Sequence, residues 1–206
     1  MDHNYLKYRE LKPNDTVLIL GAYDGDFIRE KKDEIIEKNV FVINIEPDIR
    51  LCKDMMEFIQ SEMPLNATAL NIAVSDRTGT AVFENKQNTL ISGLKDIPSM
   101  YWTDKALFET KILTIALDYL IDLYDPNCIF CDIEGAELEV FGDSTSFYNV
   151  EYIAIAAYHI RNNMKTFIFL SAFFSRFTKN IVKMRNRKII VDVDDLEKQE
   201  EVLYIV

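Results

Sequence analysis

A chain of 206 residues, 49% apolar and 28% charged, has enough material to bury one substantial core. Its net charge of -11 argues against a broad phosphate-binding surface, and hence against nucleic acid as a partner, because such a surface needs clustered Lys and Arg. No apolar run approaches the roughly 20 residues that cross a bilayer, and the start Met1-Asp2-His3-Asn4-Tyr5-Leu6-Lys7 lacks the apolar stretch of a signal peptide; the expected location is the cytoplasm, away from membranes.

Residues 2–14 read as a short helical lead-in ending at Pro13. From residue 17 onward, apolar runs alternate with amphipathic stretches, the mark of a mostly parallel α/β sheet with helices on its faces. Strands are expected near 16–21, 40–46, 67–73, 128–132 and 152–157, and helices near 25–38, 48–62, 114–124, 135–141 and 163–179. The segment 74–112 breaks this rhythm. Thr80–Glu84 reads as a short strand after the turn Asp76-Arg77-Thr78-Gly79, and 85–111, with Gly93, Pro98 and the lone Trp102, reads as an irregular insertion. The Phe167–Phe174 run is too short to span a membrane and apolar on more than one side, which describes a helix packed on a sheet. Arg187–Val193 and Glu201–Val206 suit an antiparallel hairpin at one sheet edge. No repeat or linker marks a second unit, so 1–206 reads as one domain.

Cys52, Cys128 and Cys131 make an odd count, which fits a reducing compartment. Cys128-x-x-Cys131 has metal-ligand spacing, but Ile129 and Phe130 are strand residues and no second Cys/His pair lies nearby. Buried thiols are expected there, and no metal site. The basic residues Lys179, Lys183, Arg185, Arg187 and Lys188 read as a solvated turn.

In open parallel sheets, ligands sit beyond the carboxyl ends of the strands. Here those ends carry Gly21-Ala22-Tyr23-Asp24-Gly25, then Glu46-Pro47, then Asn71-Ile72-Ala73-Val74-Ser75-Asp76, then Asp132-Ile133-Glu134-Gly135-Ala136-Glu137, and last Tyr158-His159. A glycine turn between strand and helix lets backbone N–H groups approach a ligand closely. An acid at Glu46 can accept both hydroxyls of a ribose, so turn and acid together describe a nucleoside pocket. One alternative is an NAD(P)-dependent oxidoreductase, although Gly21-x-x-x-Gly25 lacks the middle glycine of the dinucleotide fingerprint. Another is a binding module without turnover. Each residue also has a plain structural role open to it: Gly21 and Gly25 in turning the chain, Glu46 and Asp132 in capping helices, His159 as an ordinary histidine. Glu137 and Glu139 read as an exposed helix face.

In order along the chain, Leu20-Gly21-Ala22-Tyr23-Asp24-Gly25, Ile45-Glu46-Pro47, Asn71 to Asp76, Ala116-Leu117-Asp118-Tyr119-Leu120 and above all Asp132-Ile133-Glu134-Gly135-Ala136-Glu137 resemble the motifs of the FkbM family, from about residue 15 to 160. The resemblance implies a Rossmann-like methyltransferase fold with S-adenosylmethionine as cofactor, and O-methylation of a hydroxyl on a sugar or other small metabolite. It implies that Gly21, Ala22 and Gly25 line the amino-acid portion and ribose of the cofactor, that Glu46 holds the ribose hydroxyls, and that Asn71 and Ala73 lie near the adenine. Asp132 and Glu134 would border the methyl and the acceptor, and His159 matches a histidine that follows the fifth strand. These three are the candidate bases for an acceptor hydroxyl; a divalent ion held by Asp132 and Glu134 is the alternative route. The family commonly has an aspartate where Ile19 stands, an asparagine at Tyr23 and a glutamate at Ala157. Asp24 or Asp26 is the candidate substitute for binding the cofactor's ammonium. The insertion, with Tyr101 and Trp102, is a candidate acceptor lid, since aromatic faces suit sugars. The oligomeric state is left open.

Overall fold

The computed structural model describes residues 5–88, 92–97, 105–142, 144, 147, 149–161, 164–180, 189–195 and 200–205. Its first strand, β1 (Thr16–Leu20), is buried on both faces, which is why it reads as a continuous apolar run. The turn 21–25 leads into two short helices, α1 (Asp26–Glu30) and α2 (Lys32–Glu37). β2 (Phe41–Ile45), α3 (Ile49–Glu62) and β3 (Ala67–Leu70) follow. Four strands then leave the main layer: β4 (Ala73–Ser75), β5 (Gly79–Asn85), β6 (Gly93–Leu94) and β7 (Phe108–Ala116). The chain returns through α4 (Leu117–Tyr124), β8 (Cys128–Cys131), α5 (Glu137–Gly142) and β9 (Tyr152–Ala156). A small pair, β10 (Ile160–Arg161) and β11 (Met164–Lys165), precedes α6 (Thr166–Asn180), and β12 (Ile189–Asp195) and β13 (Glu200–Ile205) close the fold.

Seven strands form the main sheet in the order β12-β13-β9-β8-β1-β2-β3. β3, β2, β1, β8 and β9 pair in parallel, while β13 runs antiparallel to both β9 and β12. From β1 the chain steps outward through β2 and β3, then returns to the other side of β1 with β8. The switch point between β1 and β8 is where such sheets open a crevice. The registers Leu20↔Ile45 and Leu20↔Cys131 deliver Gly21, Glu46 and Asp132 to one edge.

Alternation along the strands builds a core on each face. Leu18, Leu20, Ile43 and Ile129 pack with Leu120 of α4, Phe141 of α5 and Phe174 of α6. Val17, Ile19, Val42 and Phe130 pack with Ile28 of α1, Ile35 of α2 and Met55 of α3. Each such buried side chain contributes about 1.5–3 kcal/mol of transfer free energy. On the first face, the Phe141 and Phe174 rings meet edge to face at 5.7 Å, the sheet-packing role expected of the Phe167–Phe174 run.

Several expected boundaries moved, for physical reasons. Residues 5–14 form turns instead of a helix, tied down by Arg9, whose guanidinium reaches Asp15 at 2.7 Å and Glu151 at 3.3 Å. The helix expected over 25–38 breaks at Lys31, where φ and ψ are -98° and 8°. The strand expected over 67–73 is two strands in two sheets, with the bend at Asn71, whose amide donates to the Glu46 and Pro47 carbonyls at 3.0 and 2.9 Å. The helix expected from 114 begins at Leu117, because Thr114 to Ala116 still pair with β4. The insertion 85–111 is not irregular throughout. It holds β6 and the start of β7, and β5 and β7 form an antiparallel ladder from Gly79↔Thr114 to Asn85↔Phe108 within a second sheet of order β4-β7-β5-β6. The hairpin expected at the sheet edge is β12 and β13. Pro98, Tyr101, Trp102, Lys183, Arg185, Arg187 and Lys188 lie outside the described residues. Among the described residues no helix is long and apolar enough to cross a membrane.

Candidate active site

The turn after β1 packs too closely on β8 for any side chain at Gly21. A Cβ there would sit 1.8 Å from the Asp132 carbonyl oxygen, and φ is +76°. The Gly21 and Ala22 amides both donate to the Ile45 carbonyl, at 3.0 and 2.9 Å, so the turn is anchored to the end of β2. Tyr23 holds a left-handed φ of 53°, which asparagine adopts more readily than tyrosine. Its amide donates to Glu46 Oε2 at 2.8 Å, and the Asp48 amide donates to Oε1 at 2.8 Å. A carboxylate oxygen has two acceptor positions, so each Glu46 oxygen keeps one for a ligand. Glu46 is only 6% exposed. Burial pushes its carboxyl up to about 8 against the pull of those two N–H bonds, and the charges of Asp48 and Glu134 push the same way.

At the end of β8 the chain turns through left-handed Glu134 and Gly135, with φ of 55° and 97°. Glu137, the first residue of α5, is not on an exposed face as its neighbours in sequence imply; it is 0% exposed. Its Oε1 accepts from the Ile133 amide at 3.3 Å and the Gly135 amide at 3.2 Å. His159, 2% exposed after β9, brings Nδ1 to 3.1 Å from the same oxygen. Its Nε2 lies 3.5 Å from Glu134 Oε2 and 3.8 Å from Asp132 Oδ1. The Tyr158 hydroxyl donates to Asp132 Oδ2 at 3.5 Å, and its ring centroid lies 4.4 Å from that of the imidazole. Burial alone lowers the affinity of His159 for a proton, but the charge of Glu137, the contacts with Glu134 and Glu137 and the charge of Asp132 outweigh it and hold the imidazole well above its ordinary value. Burial raises Glu134 to about 7; His159 pulls it back down, while Asp132 and Glu137 push it further up. Ligand atoms of Asp132, Glu137 and His159 all lie within 4.8 Å of one another. Each ring nitrogen faces a carboxylate, Nδ1 towards Glu137 and Nε2 towards Glu134 and Asp132.

These edges surround a cavity of about 610 Å³ open to solvent. Gly21, Tyr23, Glu46, Asp132 and Glu134 line it, with Pro47, Leu51 and, from β4, Ala73 and Val74 as apolar lining, and Phe83 of β5, Gly93 and Leu94 of β6 and the adjacent Ser92 as a further wall. A second cavity of about 460 Å³ lies across the glycine turn, between Tyr5, Ile19, Ala22, Asp26, Phe27 and Glu30. Asp24 and Gly25 line neither cavity. Asp24 Oδ1 accepts from the Asp26 amide at 3.2 Å, and Gly25 faces Met55, so of the two acids offered for the ammonium only Asp26 borders a cavity. Asn71 stands behind the wall, holding the Glu46 and Pro47 carbonyls, and His159 stands behind Asp132 and Glu134. The sequence reading took Glu137 for an exposed residue, gave Tyr158 no role beyond its place at the strand end, and did not foresee that Phe83, Gly93 and Leu94 would line the cavity from a second sheet. For Glu137 the signal was present in its spacing, since Val140 and Phe141 share its side of the helix and are core residues. All three cysteines are buried and unbridged, and burial pushes the Cys52 and Cys128 thiols up to about 11 and about 12.

The sequence model of the methyltransferase FkbM domain matches residues 20–188. No curated protein sequence matches the chain. Among solved structures, the methyltransferase FkbM from Methylobacillus flagellatus KT superposes with a TM-score of 0.59 at 15% identity, over 97% of this chain and 45% of that one. Fibrillarin from Aeropyrum pernix, in complex with natively bound S-adenosyl-L-methionine, superposes with a TM-score of 0.53 at 11% identity, over 98% of this chain and 71% of that one. This chain thus spans less than half the length of the first of these structures. At such identities the likeness is one of fold, the Rossmann-like fold of S-adenosylmethionine-dependent methyltransferases. Matched over most of its length by the domain model, the chain belongs to the FkbM methyltransferase family.

Proposed function

We propose that the protein is an S-adenosylmethionine-dependent methyltransferase that methylates a hydroxyl of a sugar or other small metabolite. The observation that carries this reading is Glu46. A buried carboxylate, with both oxygens fixed by the Tyr23 and Asp48 amides and a lone pair left on each, faces a cavity beside a glycine turn. That arrangement suits the paired hydroxyls of a ribose. Pro47, Leu51, Ala73 and Val74 offer the apolar side an adenine ring needs. Asp26, across the turn, is the carboxylate we assign to the ammonium end. When bound, the cofactor supplies a methyl group already activated by its sulfonium.

The chain's own work is then to orient the acceptor, exclude water and take a proton. We assign proton acceptance to Glu134. It lines the cavity with its side chain 21% exposed, and its pKa of about 7 keeps a basic fraction near neutral pH. Asp132 and His159 share its proton network. The oxidoreductase alternative has less support, since the dinucleotide fold continues its sheet in parallel, whereas here antiparallel β13 follows β9. Calorimetry tests the choice: S-adenosylmethionine binds and NADH does not. Binding of NADH without binding of the sulfonium compound overturns the reading. Transfer of a radiolabelled methyl group to a panel of neutral hydroxylated acceptors then tests turnover.

A further inference from the structure

Glu137 is the one member of the buried carboxylate group around His159 that does not line the cavity. It cannot touch an acceptor there, yet it is fully buried, and a carboxylate taken from water costs several kcal/mol unless its partners compensate. The partners are specific. Oε1 accepts from the amides of Ile133 and Gly135, the residues on either side of Glu134, and approaches His159 Nδ1 at 3.1 Å. One oxygen therefore holds the turn that presents Glu134 by two hydrogen bonds and lies against the ring that faces Glu134.

The consequence for the imidazole follows from its two nitrogens. With Nδ1 nearest Glu137, Nε2 is directed at Glu134 and Asp132, 3.5 and 3.8 Å away. The consequence for the turn is conformational. Glu134 has a φ of 55°, an unfavourable region for a side-chain-bearing residue, and such backbones persist only where surrounding bonds over-determine them. The two amide bonds to Glu137 do this. Apart from Glu137, the groups facing the ring are the carboxylates of Asp132 and Glu134 and the Tyr158 ring, with the Tyr5 hydroxyl close enough to feel the charges of Asp132 and Glu137.

We propose that Glu137 is a positioning residue of the reaction: it fixes the Glu134 turn and the His159 ring relative to each other, and so sets where the proton of the acceptor is received. The proposal rests on the reading of Glu134 as the base, and it leaves cofactor binding to Glu46 untouched.

The test is Glu137→Gln, which keeps the shape and one carbonyl acceptor but loses the charge, alongside Glu137→Asp, which keeps the charge on a shorter stem. The chain has two histidines, so a His159→Gln control assigns the imidazole resonances in ¹⁵N-labelled protein. In wild type the His159 nitrogens give the reference titration, in which the ring holds its proton more tightly than an ordinary histidine. In Glu137→Gln the ring is expected to lose its proton at lower pH than in wild type, with S-adenosylmethionine affinity by calorimetry within about 2-fold of wild type. Methyl transfer is expected to lose roughly 100-fold in kcat with little change in acceptor KM, the size that a displacement of about 1 Å costs. Glu137→Asp is expected to restore part of the wild-type His159 titration and part of kcat. A wild-type His159 spectrum in a folded Glu137→Gln protein overturns the proposal, as does an unchanged kcat. If wild type fails to bind S-adenosylmethionine, the functional reading falls instead, and the ring spectra still decide whether Glu137 holds His159.

Discussion

Tyr23 and Glu46 are joined by a hydrogen bond of 2.8 Å, the Tyr23 amide donating to Oε2, which locks the turn after β1 to the end of β2. With the Asp48 amide on Oε1, the carboxylate is fixed before any ligand arrives. A group held this way loses little freedom on binding, which is where preorganised sites gain affinity.

Replacing Glu46 by alanine removes the acceptor for both ribose hydroxyls of the proposed cofactor. Hydrogen bonds to a charged partner contribute about 1.5–3 kcal/mol each, so S-adenosylmethionine affinity is expected to fall by at least about 100-fold in calorimetry. The two amides left without their acceptor also lower the melting temperature. Affinity within a few-fold of wild type would remove Glu46 from the site.

The burial of Glu46 gives binding a pH signature. Ribose hydroxyls donate to the carboxylate, so binding below about 8 must release the proton that Glu46 holds in the free protein. Affinity therefore rises between about pH 6 and 8 and levels above. Titrations in buffers of different ionisation enthalpy report the released proton directly. Stability of the free protein runs the opposite way. The folded carboxyl sits above its ordinary 4.5, so its contribution is full below 4.5 and is lost as pH rises through about 8.

Gly21→Ala and Gly142→Ala form a matched pair. At Gly21 the added methyl meets backbone at 1.8 Å with φ at +76°, whereas at Gly142 nothing lies within 4 Å. The first is expected to cost at least about 3 kcal/mol, a fall of roughly 6–12 °C in Tm, and the second less than about 1 kcal/mol. Equal melting temperatures would contradict the close approach of β1 and β8.

The thiols offer a check that needs no ligand. Cys52, Cys128 and Cys131 are buried, and burial holds each thiol above its ordinary value. None is expected to react with a thiol reagent at pH 7.5 in the native protein, and all three react after denaturation. Rapid labelling of one thiol in the folded state would show that its helix or strand is not packed as described.

What could be read from residues alone divides along physical lines. β1, β2, β8 and β9 were legible because a parallel strand covered on both faces must be apolar throughout, and such runs have few other uses. The edge acids Glu46, Asp132 and Glu134 followed from where those runs end. β7 was not legible: Phe108-Glu109-Thr110-Lys111-Ile112 alternates, but half its length is exposed, and nothing local says that Gly79–Asn85 will pair with it. Glu137 was misread for a related reason. Its pairing with Glu139 suggests a solvated face and outweighed the apolar Val140 and Phe141 on its own side, and the His159 beside it is brought back only after the rest of α5 and β9.

The two sheets have a consequence for how this protein can change. The wall carrying Phe83, Gly93 and Leu94 belongs to a ladder that, among the described residues, shares no strand with the seven-stranded sheet. A residue gained or lost in β5 or β6 slips their pairing alone; the pairing of β4 with β7, and the alignment of β1 with β2 and β8 that aims Gly21, Glu46 and Asp132, stay in register. One side of the cavity is thus free to be reshaped for a new occupant while the other keeps its geometry.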